Sequence, residues 1–232
     1  MTEVTIRAAD GGSFMGYLGL PSAGKGPGVV VIQEIFGVNA VMRAITDGLA
    51  GQGYVALCPD LFWRQQPGIQ ITDKTEAEWA RAFELYKGFN EAKGVDDLKS
   101  TIAHLRADKR CTGKIGTVGF CLGGKLAYLM ATRTDVDCSV GYYGVGIQDA
   151  LDEAKNLKHA LLLHIAGRDE FVPPPAQEKI HAGLKGNAHV TMYDYPNCGH
   201  AFARPGGAHW DQAAADQAGK RSLEFFHRHL GA

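Results

Sequence analysis

The chain has 232 residues, 45% of them hydrophobic, and carries 24 Lys and Arg against 25 Asp and Glu. A chain of that length and apolar content can bury a core without disulfides or metal, and near-balanced charge without a long basic run argues against a nucleic-acid partner. No stretch approaches a membrane span, and the first six residues lack the basic and apolar regions of a signal peptide, so the expectation is a cytoplasmic protein forming one domain over residues 1–232.

In chain order, residues 3–7 and 14–20 read as an antiparallel hairpin, followed by the continuously apolar strand Val29-Val30-Val31-Ile32. A helical pattern at 40–51 leads to the strand Tyr54-Val55-Ala56-Leu57, which Pro59 ends. Helical patterns at 76–91 and 95–107 precede the strand Ile115-Gly116-Thr117-Val118, then a helix at 123–133 and the strand Ser139-Val140-Gly141-Tyr142. The strand Leu161-Leu162-Leu163-His164-Ile165, a helix at 175–185, the strand Val190-Thr191-Met192-Tyr193 and a helix at 211–229 complete the series. Short β-branched runs alternating with amphipathic stretches predict an α/β fold with a mostly parallel sheet of about eight strands.

The five cysteines (Cys58, Cys111, Cys121, Cys138 and Cys198) are odd in number and irregularly spaced, unlike a disulfide framework or a zinc knuckle. Cys121 stands apart by its context. A strand runs directly into Gly119-Phe120-Cys121-Leu122-Gly123-Gly124 and then into a helical pattern, the arrangement of a nucleophile elbow with sulfur in place of oxygen. Small residues are needed where strand and helix nearly touch, and the turn aims the Leu122 N–H at the reacting centre. Taken alone, Gly-x-Cys-x-Gly is equally compatible with a tight turn around a buried thiol.

Two later loops narrow the choice. Asp169, with Glu170 as a rival carboxylate, follows the strand ending at Ile165, and His200 follows the next strand and precedes the last helix. Nucleophile, acid and histidine in that order are the arrangement of the α/β-hydrolase fold. Cys121 would attack, His200 would move protons, and Asp169 would orient the imidazole. His159, His164, His181 and His189 read as core or surface residues, and His227 with His229 is too sparse for a metal site, so no metal is expected.

The motifs Gln33-Glu34-Ile35-Phe36-Gly37-Val38-Asn39, Cys58-Pro59-Asp60-Leu61, Gly119-Phe120-Cys121-Leu122-Gly123-Gly124, Gly141-Tyr142-Tyr143-Gly144-Val145-Gly146 and Gly199-His200-Ala201-Phe202-Ala203-Arg204 together resemble the dienelactone hydrolase (carboxymethylenebutenolidase) family over nearly the whole chain. The resemblance implies hydrolysis of 4-carboxymethylenebut-2-en-4-olide to maleylacetate, a step in degrading chlorinated aromatics through chlorocatechols, with no cofactor. It implies that Glu34 pairs with the resting thiol and takes its proton once substrate binds, that Ile35 supplies a second oxyanion N–H, and that Arg204 binds the substrate carboxylate. The family's second carboxylate-binding arginine falls, by an ungapped count back from Gly94-Val95-Asp96-Asp97-Leu98, on Trp79. Arg81 lies two helical residues away, a rotation of roughly 200°.

The expected ligand is therefore a small lactone or ester, with no nucleic acid, membrane or partner protein, and a monomeric chain. A related esterase or lactonase of other specificity is one alternative. A noncatalytic ligand-binding or thiol-sensing scaffold is the other. A glutamine amidotransferase would need a His-x-Glu downstream, which Gly199-His200-Ala201-Phe202 lacks.

Overall fold

The computed structural model describes residues 2–231, among which lie eight strands and six α-helices in two compact units, the chain passing from the first to the second between Ile115 and Gly116. The first unit contains β1 (Thr2–Arg7), β2 (Ser13–Gly19), β3 (Gly26–Ile32), α1 (Ala40–Gly51), β4 (Val55–Pro59), α2 (Glu76–Lys87) and α3 (Glu91–Ala107). Its strands are ordered β1-β2-β4-β3, with β1, β2 and β4 antiparallel in turn and β3 parallel to β4. Every residue of β3 and of β4 is buried, as expected of strands covered on both faces.

The second unit takes in the second half of β5 (Cys111–Phe120), then α4 (Leu122–Arg133), β6 (Cys138–Tyr142), β7 (Ala160–Arg168), α5 (Pro174–Leu184), β8 (Val190–Gly199) and α6 (Gln212–Leu230). Its strands run β5-β6-β7-β8, all parallel. In such a sheet the carboxyl ends of the strands lie on one side, where α/β proteins assemble their sites.

Several boundaries differ from the sequence expectation, two of them for identifiable local reasons. The helix expected over 95–107 begins at Glu91, because the Asn90 side chain accepts the Lys93 N–H and caps it, while the one before it stops at Lys87 with Gly88 as its cap. The strand expected over 190–193 continues to Gly199. Its register with β7 shifts between Ala166 and Arg168, so that Ala166 faces Tyr195 and Arg168 faces Gly199. Gly167 sits at the irregularity, where a Cβ would come within 2.6 Å of the Pro196 Cα. This bulge carries both strands to the two loops that hold Asp169 and His200.

Candidate active site

Between β5 and α4 the chain turns on one residue. Cys121 has φ 56° and ψ −115°, a backbone conformation that costs a non-glycine residue about 1–3 kcal/mol. Its neighbours hold it there: the Cys121 N–H donates to the Tyr142 carbonyl at 3.1 Å, and its own carbonyl accepts from Gly124 at 3.0 Å and Val145 at 3.3 Å. A Cβ on Gly119 would lie 1.8 Å from the Gly123 carbonyl oxygen, and one on Gly124 would lie 2.4 Å from that of Tyr142. Strand and helix meet only because those residues lack side chains. No acidic residue occupies the first turn of α4, so its amide dipoles are left to act on negative charge forming beside the sulfur.

Asp169 directly follows β7 and His200 directly follows β8, and both are 4% exposed. The His200 Nδ1 lies 3.0 Å from Oδ1 and 2.9 Å from Oδ2 of Asp169, while Oδ1 also accepts the N–H groups of Phe171 at 2.9 Å and Val172 at 3.1 Å. The carboxylate is thus fixed by its own loop before it fixes the ring. Glu170, the rival carboxylate, turns outward and approaches His209 at 4.0 Å.

Burial opposes a charge on His200, but the charge of Cys121 and the hydrogen bonds of Asp169 outweigh it and push the imidazole up to about 10. The His200 Nε2 is buried without a formed hydrogen bond, and Cys121 is within its electrostatic reach. Tyr143, itself at φ 38°, sets its ring edge-on to the imidazole at 5.1 Å, and Phe171 does so at 4.8 Å. Tyr143 stands within the motif at residues 141–146 and Phe171 two residues after Asp169, yet only the folded chain reveals their contact with His200.

Another histidine lies below. His164 on β7 is fully buried between the Tyr195 hydroxyl at 2.9 Å and the Ser222 hydroxyl at 3.0 Å, and Ser222 bonds Tyr142 at 2.7 Å. Burial, with the Arg221 charge adding to it, holds His164 down to about 3, so it is neutral and structural, as its place in an apolar strand suggested. Among the described residues no group of His, Cys, Asp and Glu is arranged to hold a metal ion, and no helix is long and apolar enough to cross a membrane. All five cysteines are unbridged.

Comparison with known proteins bears on what this arrangement serves. Residues 14–230 match the model of the dienelactone hydrolase family. The chain belongs to that family. A "Putative carboxymethylenebutenolidase" of Azospirillum brasilense is 48% identical over 236 residues, covering 100% of both chains. The carboxymethylenebutenolidase of Pseudomonas putida is 40% identical over 226 residues, covering 97% of this chain and 96% of its own. The solved structure of a "Putative Dienelactone Hydrolase" from Klebsiella pneumoniae superposes with a TM-score of 0.85 at 26% identity, covering 98% of each chain. This member of the dienelactone hydrolase family therefore has the α/β-hydrolase fold and is an ester-hydrolysing enzyme.

The remaining sequence candidates are placed as follows. Leu122 opens α4 and is buried, and Arg204, four residues after His200 on the same loop, is 7% exposed. Glu34 and Ile35 follow β3 in the first unit, both buried, with the Gln33 amide donating to the Glu34 carbonyl at 3.2 Å and accepting from the Leu61 N–H at 3.0 Å. Trp79 and Arg81 are on α2 and face different ways. Trp79 packs edge-on to Phe36 at 5.1 Å and stacks on Phe83 at 5.6 Å, its indole N–H donating to the Asp73 carbonyl at 3.1 Å. The Arg81 guanidinium donates to Glu84 and Gln66 at the surface.

Proposed function

We propose that the enzyme opens dienelactone to maleylacetate through a thioester on Cys121, with His200 and Asp169 completing the triad. The observation that carries this reading is the buried Asp169–His200 pair, with Nε2 unoccupied and Cys121 on a strained turn as its electrostatic neighbour. Sγ loses its proton, to Glu34 by the family resemblance, and its electron pair attacks the lactone carbonyl. The resulting oxyanion is held by the Leu122 N–H and, by the family resemblance, by that of Ile35. Collapse breaks the ring C–O bond, and the leaving oxygen departs as an enolate, which needs little acid assistance.

Acylation removes the negative charge from sulfur, and with it part of what keeps the His200 ring protonated. The ring then gives its proton to the enolate and, now neutral, takes one from water, whose oxygen attacks the thioester and expels the sulfur. The Glu34 proton returns to the thiolate and His200 is left charged as at the start, so the net reaction adds one water to the lactone. Every group the cycle needs is a protein side chain or amide, and the reading assigns no cofactor. The role of Glu34 rests on the resemblance alone. Glu34→Gln is expected to lower the single-turnover acylation rate about tenfold or more with unchanged circular dichroism; an unchanged acylation rate refutes it.

Arg204 is the proposed anchor of the substrate carboxylate, which a guanidinium binds through two parallel bonds. A second reading, a small esterase or lactonase acting on neutral substrates, is favoured by α2, where Arg81 is engaged at the surface and Trp79 is packed among aromatics. Comparing kcat/KM for cis- and trans-dienelactone with neutral lactones and p-nitrophenyl acetate separates the two. Preference for the anionic lactones, lost in Arg204→Gln, is the expected result. Preference for neutral esters rules against dienelactone as the substrate.

A further inference from the structure

The loop that carries His200 must hold a strained backbone. Ala201 has φ 61°, in the left-handed region that few residues other than glycine adopt, and this bend directs the imidazole toward Asp169. Three successive carbonyls flank it. That of Ala201 accepts the Arg204 N–H at 2.9 Å and that of Phe202 accepts the Asp211 N–H at 3.0 Å, both main-chain bonds. The His200 carbonyl instead meets a side chain, the Nδ1 of His209, at 3.1 Å.

His209 is built into this position. Its ring lies over Gly199, where a Cβ would come within 3.1 Å of Nδ1 and 3.2 Å of Cγ, and Gly199 is the last residue of β8 before His200. The neighbouring Asp211 caps α6 by accepting the Ala214 N–H at 3.0 Å, which anchors the far end of the loop. Glu170, adjacent to Asp169, lies 4.0 Å from the same Nδ1. His209 therefore touches the residue before the base, the carbonyl of the base and the neighbour of the acid.

We propose that His209 is a positioning residue for the hydrolytic reaction: its Nδ1–H fixes the His200 main chain so that the imidazole keeps both bonds to Asp169. It touches no reacting atom and acts through His200. The proposal rests on His200 being the base. His209 is 48% exposed on its side chain, so replacing it leaves the core packing untouched.

The geometry sets which replacements work. An asparagine amide nitrogen is as many bonds from Cα as a histidine Nδ1, and can donate to the same carbonyl, whereas a glutamine amide is one bond further out. In His209→Ala, kcat on p-nitrophenyl acetate is expected to fall about tenfold at unchanged KM, a displacement effect rather than a binding one. The acid limb of its pH profile, where His200 loses its proton and becomes able to act as base, moves to lower pH, because weaker contact with Asp169 stabilises the imidazolium less. His209→Asn restores both readouts and His209→Gln does not. An alanine variant with wild-type kcat and acid limb, or asparagine and alanine variants that behave alike, overturns the assignment. His200→Ala, assayed beside them, separates the two ideas: retained turnover there overturns the base itself, whereas lost turnover there with an unaffected His209→Ala overturns only the positioning role.

Discussion

Replacing Cys121 by alanine should stop ester hydrolysis, with kcat falling by roughly four to six orders of magnitude while the fold is kept, as happens when a nucleophile is removed from an intact triad. The fold survives because the side chain is small and the turn is held by main-chain bonds from Cys121 to Tyr142, Gly124 and Val145, none of which involves sulfur. Stoichiometric labelling supplies the complementary test. Inactivation by iodoacetamide should track modification of Cys121, whereas labelling of the more accessible Cys111 should leave turnover intact. Cys58 and Cys138 are wholly buried, and burial pushes the Cys58 thiol up, as it does more mildly for Cys198. Retained turnover in the alanine variant, or inactivation by labelling at another cysteine, would remove Cys121 from the mechanism.

The same elbow shows why so much of this site could be read from the sequence. Gly119, Cys121 and Gly123 are adjacent in the chain, and the requirement they meet is local, so the motif and the geometry coincide. Asp169 and His200 were legible for a related reason. Each follows a strand of the parallel sheet, and the order of those strands determines where each loop emerges. By sequence Asp169 is preferred to its weaker rival Glu170, although both fit the loop. The choice is made by the Phe171 and Val172 amides, which turn one carboxylate inward.

Contacts between distant segments were less legible. Tyr143 and Phe171 reach His200 across 57 and 29 residues of chain, and no periodicity encodes that meeting. The extension of β8 to Gly199 escaped because Asp194, Pro196, Asn197 and Gly199 read as turn residues, and their pairing depends on a bulge at Gly167 in another strand. His209 offered no motif at all. Its significance arises only once Ala201 adopts a left-handed bend and leaves the His200 carbonyl facing it.

Asp169→Asn should lower kcat by about a thousand- to ten-thousandfold, although its side chain has nearly the same shape. The two Asp169 oxygens can accept only because both are carboxylate oxygens, and Oδ1 is already engaged by the Phe171 and Val172 amides. An asparagine that keeps its oxygen on those amides must present its NH2 to Nδ1. Nδ1 must then accept, so the ring carries its proton on Nε2, where it can no longer take one from water. Stability should change with a defined pH dependence. In the native enzyme His200 is raised from its ordinary 6.5 to about 10, so its imidazolium stabilises the fold fully below pH 6.5, and that contribution is lost as pH rises through about 10. Without the carboxylate the raise shrinks. The stability deficit of Asp169→Asn, measured by urea denaturation, should therefore be larger at pH 6 than at pH 10. An equal deficit at both values would mean that Asp169 does not sustain charge on His200, and its role would reduce to orientation alone.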